Sequence, residues 1–121
     1  MTNSFLKYWA PLYIYAGLIF YLSSAPRPIP EVGIPYFDKV LHIFEYAVFG
    51  ILASRAFKNS PRKTFFGNFK ILAILASIIY GISDEIHQGF ISERDLSVFD
   101  MLADGLGGIL GTFIYGRYHS I

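Results

Sequence analysis

The chain has 121 residues, of which 54% are hydrophobic and 16% are charged, and its formal net charge is +1. Soluble domains carry about 25% charged residues, so this composition, with a mean hydropathy of +0.45, excludes an ordinary soluble domain and favours a membrane protein. The absence of cysteine excludes a disulfide framework and a thiolate metal site. The near-neutral net charge gives no indication of nucleic-acid binding.

Four long apolar segments predict four membrane helices in a single domain, 1–121. Each segment is close to the roughly 20 residues that cross a bilayer as a helix. The predicted helices span 6–23, 38–57, 69–88 and 100–118. A proline-rich stretch at 26–35 cannot be helical and connects the first two. We therefore expect an all-α membrane protein, a four-helix transmembrane bundle.

Lysine and arginine fall unevenly on the two sides that four spans create. Seven lie on the side of the termini and the second loop, and three lie on the other side. The seven are Lys7, Arg55, Lys58, Arg62, Lys63, Lys70 and Arg117. The positive-inside rule therefore predicts that both termini are cytoplasmic. All nine acidic residues fall in the outer loops or outer parts of the helices, so the acidic groups should face the extracytoplasmic side.

Carboxylates from three predicted helices fall at a similar depth. Counting about 1.5 Å per residue, Glu45 lies roughly 10 Å below the outer end of its helix and Asp104 roughly 6 Å below. Asp84 lies roughly 21 Å from Lys70, which leaves about 9 Å of a 30 Å hydrocarbon core. Ionisable groups inside a bilayer are costly and mark functional sites with partners. The agreement in depth predicts one polar site built from three helices.

Helical spacing places these polar residues on shared faces. The stripe on the second helix, spaced i, i+4, i+7, consists of Asp38, His42 and Glu45. The stripe on the third helix, spaced i, i+3, i+4, consists of Asp84, His87 and Gln88. We expect the fold to bring these stripes together with the polar groups further along the chain.

The fourth helix combines acidic residues with a glycine-rich face. Asp100 and Asp104 continue along one stripe into Gly107, Gly108 and Gly111. Small residues of this kind allow another helix to approach closely. Dimerisation through the glycines is one use of such a face. We expect it to pack inside the bundle instead, because it continues the site stripe.

These segments together resemble the VanZ-like family. The residues that carry the resemblance are 38–46 (DKVLHIFEY), 80–88 (YGISDEIHQ), Arg94-Asp95, and 100–108 with its glycines. Family members typically show D-K-x-x-H-F, Y-x-x-x-D-E-x-x-Q and R-x-x-x-x-D-x-x-x-N in this order. The likeness covers about residues 36–118. Two departures, Asp104 in place of asparagine and Glu45 in place of a small or apolar residue, add negative charge to the site.

The resemblance implies a small multi-pass protein of the bacterial inner (plasma) membrane, with its polar site facing outward. The founding member of the family is associated with teicoplanin resistance, and the resemblance itself implies no defined reaction. Membrane lipids, a lipid-linked cell-wall precursor or a glycopeptide are the partners it suggests.

The candidate residues admit both functional and structural interpretations. The binding set is Asp38, Lys39, His42, Glu45, Tyr80, Asp84, Glu85, Gln88, Arg94, Asp100 and Asp104. For an enzyme, the catalytic set is His42, Asp84 and Glu85. Structurally, Asp38 could cap a helix, His42 could bond a neighbouring helix, and Arg94 could neutralise nearby acids instead of holding an anionic ligand. Adjacent Asp84 and Glu85 point about 100° apart, so we favour Asp84 for the site.

Three functions fit the pattern. The first is binding or remodelling of a lipid-linked envelope component or a glycopeptide at headgroup depth, with Lys39 and Arg94 meeting an anionic group. The second is a membrane-embedded enzyme acting on a headgroup by general acid–base chemistry or with a divalent metal held by nitrogen and oxygen ligands. The third is an ion or proton pathway, which is disfavoured because the cytoplasmic halves of the helices carry no titratable relay. We favour the first.

Overall fold

The computed structural model describes residues 5–24, 37–90 and 98–119. A π-helical turn, Phe5–Trp9, leads into α1 (Ala10–Ser24). Next come α2 (Phe37–Lys58), the short α3 (Lys63–Gly67), α4 (Phe69–Gln88) and α5 (Val98–Tyr118). No strand occurs in these ranges, so the all-α class is confirmed.

When the π-helical turn is counted with α1, the four long helical segments begin and end within two residues of the predicted segments. The connection between the second and third predicted segments differs, because it contains α3 where only a basic loop was expected. The proline-rich connector at 26–35 and most of the outer loop, 91–97, lie outside the described residues.

Two of the described helices are long and apolar enough to cross a membrane, Lys39–Lys58 and Val98–Tyr118. The regular part of α1 has 15 residues, and α4 carries Asp84, Glu85 and His87 at its outer end. The main support for a membrane protein therefore comes from α2 and α5.

The interior of the bundle is unusually polar. Its largest fully buried side chains include Glu85, Asp104, Ser54, Ser77 and Thr112. The exterior, in contrast, carries large apolar side chains. On α4 these are Ile71, Leu75, Ile79, Ile82 and Ile86, and on α5 they include Leu102, Leu106, Leu110 and Phe113. Their spacing of three or four residues forms one outward stripe on each helix. Polar groups inside and apolar groups outside suit a helix bundle surrounded by lipid.

The closest helix approach is between α2 and α5, and glycine permits it. A Cβ on Gly107 would meet the backbone carbonyl of Ile43, and a Cβ on Gly111 would meet that of Ala47. On α2, a Cβ on Gly50 would meet the backbone of Gly108. The prediction that the glycine face packs inside the bundle is therefore confirmed.

The remaining helices complete the bundle around this pair. α4 packs on both α2 and α5, whereas α1 lies against α2 and α4. The apolar part of the core gathers at the α1–α2 boundary, where Leu12 and Ile19 meet Tyr46 and Phe49. α1, α2 and α5 all pack on α4, and polar groups from α2, α4 and α5 converge at the C-terminal end of α4.

Candidate functional site

A chain of ion pairs and hydrogen bonds joins α2 to α5 at the acidic end of the bundle, where α2 and α5 begin and α4 ends. His42 Nδ1 lies 2.7 Å from Asp104 Oδ1, and His42 Nε2 lies 3.8 Å from Asp100 Oδ2. One turn further out, Lys39 Nζ lies 2.8 Å from Asp100 Oδ1. The imidazole of His42 thus contacts two carboxylates of α5, which lie on the one stripe predicted for that helix.

The network leads inward from the protein surface. The Lys39 side chain is 29% exposed, whereas those of His42 and Asp100 are each 12% exposed. Asp104, at the inner end, is fully buried. Lys39, His42 and Asp100 therefore form a rim above a buried acidic floor.

α4 adds two buried carboxyl groups to this floor. Asp84 is 3% exposed and Glu85 is fully buried. Tyr46 of α2 donates its hydroxyl hydrogen bond to Asp84 Oδ2 at 3.2 Å. Although adjacent residues point about 100° apart, both are interior because α4 packs on two neighbouring helices. The sequence favoured Asp84 for the site, but both carboxyl groups of α4 lie within the bundle.

Asp104 has one oxygen that the surrounding helices leave unsatisfied. Within the described residues, its Oδ2 atom is buried and has no hydrogen-bond partner. It faces the backbone of α4 at Gly81, where an added Cβ would lie 3.3 Å from this oxygen. A buried polar atom without a partner costs free energy, so this oxygen is a point at which a donor from a ligand would be stabilising.

Glu45 and Tyr80 lie at the boundary with α1. The Glu45 carboxyl is half-buried and close enough to His42 and Tyr46 to interact with both electrostatically. The hydroxyl of Tyr15 donates to the backbone oxygen of Glu45 at 2.7 Å. The Tyr80 hydroxyl donates to the backbone oxygen of Ala16. Tyr80 therefore ties α4 to α1 and does not bond any acidic group of the floor.

His87 of the predicted stripe contacts α1. Its ring stacks on Phe20 of α1, with centroids 4.2 Å apart and planes 21° apart. Its ring therefore packs on α1. The side chains of Asp38 and Gln88, and the whole of Arg94, lie outside the described part of the structure.

Two tyrosines that contact the site residues were absent from the predicted set. Tyr46 bonds Asp84, and Tyr15 bonds the backbone of Glu45. The signal for Tyr46 was present in the sequence, because it follows His42 by four residues and shares its stripe. No comparable signal existed for Tyr15, since its position depends on how α1 docks.

The arrangement can hold a cation or move a proton between His42 and Asp104. In residues 5–24, 37–90 and 98–119, no group of three or more histidine or acidic side chains has the geometry of a metal site. The His42–Asp104 pair places an imidazole and a carboxylate in hydrogen-bond contact, as general acid–base groups are.

No solved structure matches the chain. An uncharacterized protein of Schizosaccharomyces pombe is 26% identical over 90 residues, which are 74% of this chain and 53% of that protein. The chain thus spans about half the length of this curated relative. The model of the VanZ/LLP1 family matches residues 2–119, nearly the whole length, and the chain therefore belongs to the VanZ/LLP1 family.

Proposed function

We propose that this VanZ/LLP1 protein spans the plasma membrane four times and binds, at its extracytoplasmic end, the amine-bearing headgroup of a membrane lipid or lipid-linked envelope component. The binding site comprises the rim of Lys39, His42 and Asp100 and the acidic floor beneath it. The buried, unsatisfied oxygen of Asp104 is the observation that carries the proposal, because it leaves an acceptor for a donor that the described residues do not supply.

Four spans are supported by the outward faces of α1 and α4, the two long helices that are not among the candidate membrane spans by length and composition alone. The exposed side chains of α4 form a stripe of isoleucine and leucine along its length. On α1, the exposed side chains include Tyr13, Ile14, Leu18 and Tyr21. With its π-helical turn, the first helical segment covers 5–24, or 20 residues. That length equals roughly 30 Å of helix, the thickness of a bilayer core.

The charge of the site favours a cationic group on the ligand. The described residues of α2, α4 and α5 bring Glu45, Asp84, Glu85, Asp100 and Asp104 together with only Lys39 and His42. Clefts lined by one sign of charge concentrate ligands of the opposite sign. An ammonium group is such a ligand and can donate several hydrogen bonds to carboxylates.

A zwitterionic headgroup matches the rim. Lys39 already pairs with Asp100. A headgroup that carries an ammonium and a phosphate can exchange with both members of this pair, with its phosphate on Lys39 and its ammonium on Asp100. The pair of Lys39 with Asp100 is then replaced by two ion pairs with the headgroup, so neither protein charge is left uncompensated. A relative in fission yeast favours an amine-bearing phospholipid, which bacteria and yeast share, over a component of bacterial walls.

The experiment is lipid retention in detergent. Protein is purified and bound lipids are measured by native mass spectrometry after addition of phosphatidylethanolamine or phosphatidylcholine with equal acyl chains. We expect preferential retention of phosphatidylethanolamine, and its loss in Asp104→Asn and Asp84→Asn. Ser83→Ala, an exposed neighbour whose hydroxyl bonds the Tyr80 backbone, is the matched control. Equal retention by the wild type and both carboxyl variants would refute the site.

The enzyme alternative has one observation in its favour. The 2.7 Å contact of His42 with Asp104 is the geometry in which a carboxylate orients an imidazole for proton transfer. Release of headgroup from a retained lipid, abolished by His42→Gln, would establish turnover at the same site. Retention without release would leave the binding function alone.

A further inference from the structure

A hollow opens at the opposite, basic end of the bundle, where α3 meets α4. Its volume is about 460 Å³, and residues 67–71 line it. Lys70 is exposed at this position, and Phe69 beside it is 9% exposed. The proposed function uses none of these residues.

Two ammonium groups flank the ring of Phe69. Lys58 Nζ, from the end of α2, lies 5.2 Å from the ring centroid, and Lys70 Nζ lies 6.0 Å from it. The ring is held in turn by Tyr115 of α5, with centroids 6.2 Å apart and planes at 77°. Phe69 and Lys70 line the hollow, and the Phe69 ring brings Lys58 from another helix close to it.

Within the described part of the chain, neither lysine pairs with a carboxylate. The sequence contains no aspartate or glutamate between residues 46 and 83 or between residues 105 and 121. Within the described residues, no ion pair joins Lys58 or Lys70 to an acid. Their charges are thus available to an anion from outside the protein, and lysine is a common binder of phosphate.

We propose that this hollow binds the phosphate headgroup of an anionic membrane lipid. Basic pockets between membrane helices take such headgroups, and aromatic side chains are enriched at headgroup level. A general attraction of basic loops to anionic membranes needs neither the hollow nor the fixed ring. Binding in the hollow, unlike a general attraction, requires Lys58 and Lys70 to contribute more to lipid binding than neighbouring residues of the same charge.

The test measures binding of phosphatidylglycerol and phosphatidylcholine to the full chain in an uncharged detergent. We expect phosphatidylglycerol to bind preferentially. The double variant Lys58→Gln/Lys70→Gln should weaken this binding by about 30-fold, since each lysine near an anionic lipid is worth roughly a factor of five. Equal binding of the two lipids would overturn the proposal.

The matched control removes two charges from the same end but outside the hollow. Arg62 and Lys63 are exposed, and Arg62 rests on Phe65 at 5.9 Å. Arg62→Gln/Lys63→Gln should weaken binding much less than the first pair. An equal loss in both pairs would overturn the proposal, because it would indicate general electrostatic attraction.

Two further arms keep the test decisive. Lys58→Arg/Lys70→Arg preserves both charges and should retain most of the binding, which separates charge loss from misfolding. Inorganic phosphate at millimolar concentration should displace little lipid. Full displacement by inorganic phosphate would indicate that the hollow binds a free anion, and it would overturn the proposal of a lipid ligand.

Discussion

The two ends of the bundle handle charge in opposite ways. At the acidic end, charges are buried and paired between helices, as His42 with Asp104 at 2.7 Å. At the basic end, cations rest on aromatic rings or backbone carbonyls. Arg55, for example, lies 4.8 Å from the Tyr8 ring and donates to the Lys7 oxygen at 2.7 Å. A charge inside the bundle needs a partner there, whereas a charge at the exposed basic end can be compensated by the membrane.

The comparison predicts different sensitivity at the two ends. Removing one partner of a buried pair leaves the other charge uncompensated in a poorly solvated place. An exposed cation over a ring contributes much less, because water solvates it when the ring is removed. The acidic end should therefore be intolerant of single substitutions, and the basic end should tolerate them individually.

The largest effect is expected where the acidic end depends on close helix packing. Gly111→Val should destabilise the protein by roughly 3 kcal/mol or more, because its side chain would collide with the Ala47 backbone and separate α2 from α5. Unfolding with sodium dodecyl sulfate in mixed micelles measures this. Gly17→Ala is the control, since no atom lies within 4 Å of the added Cβ, and it should be neutral or stabilising. Equal effects would contradict the packing of α2 on α5.

A pair of double-mutant cycles compares the ends directly. The cycle of His42→Ala with Asp104→Ala should give a coupling free energy of about 1–3 kcal/mol. The cycle of Arg55→Ala with Tyr8→Ala at the basic end should give about 0.5–1 kcal/mol. Both use the same unfolding assay. A larger coupling at the basic end would reverse the comparison.

A smaller loss of stability is expected when the hydroxyl of Tyr46 is removed. Tyr46→Phe removes the hydrogen bond to Asp84 and should cost about 1 kcal/mol in the free energy of unfolding. Tyr13→Phe, on the exposed face of α1, should change it by less than about 0.5 kcal/mol. If both changes are neutral, the bond between α2 and α4 contributes nothing to stability.

Much of the fold followed from the sequence because lipid imposes simple constraints. Blocks of about 20 apolar residues marked the helices, and the glycine stripe beginning at Gly107 indicated where two backbones meet. Spacing also grouped His42 with Asp38 and Glu45 on one face of α2, and Asp100 with Asp104 on one face of α5. These features depend on one helix or on a pair of facing stripes, which helical periodicity describes.

The remaining features depended on how several helices dock. The stacking of His87 on Phe20 was not predicted, because it depends on how α1 docks against α4. Glu85 is buried beside Asp84 because α4 contacts two helices, which periodicity along one helix does not reveal. The short α3 was missed because five residues between a proline and an asparagine show no usable period.

Labelling of single cysteines tests most directly whether the two ends lie on opposite sides of a membrane. The chain contains no cysteine, so each introduced thiol is unique. Gly89→Cys marks the acidic end and Thr64→Cys the basic end, and both positions are exposed. In intact cells, a membrane-impermeant thiol reagent should label Gly89→Cys and spare Thr64→Cys, and disruption of the cells should expose both. Labelling of both positions in intact cells, or of Thr64→Cys alone, would contradict the account.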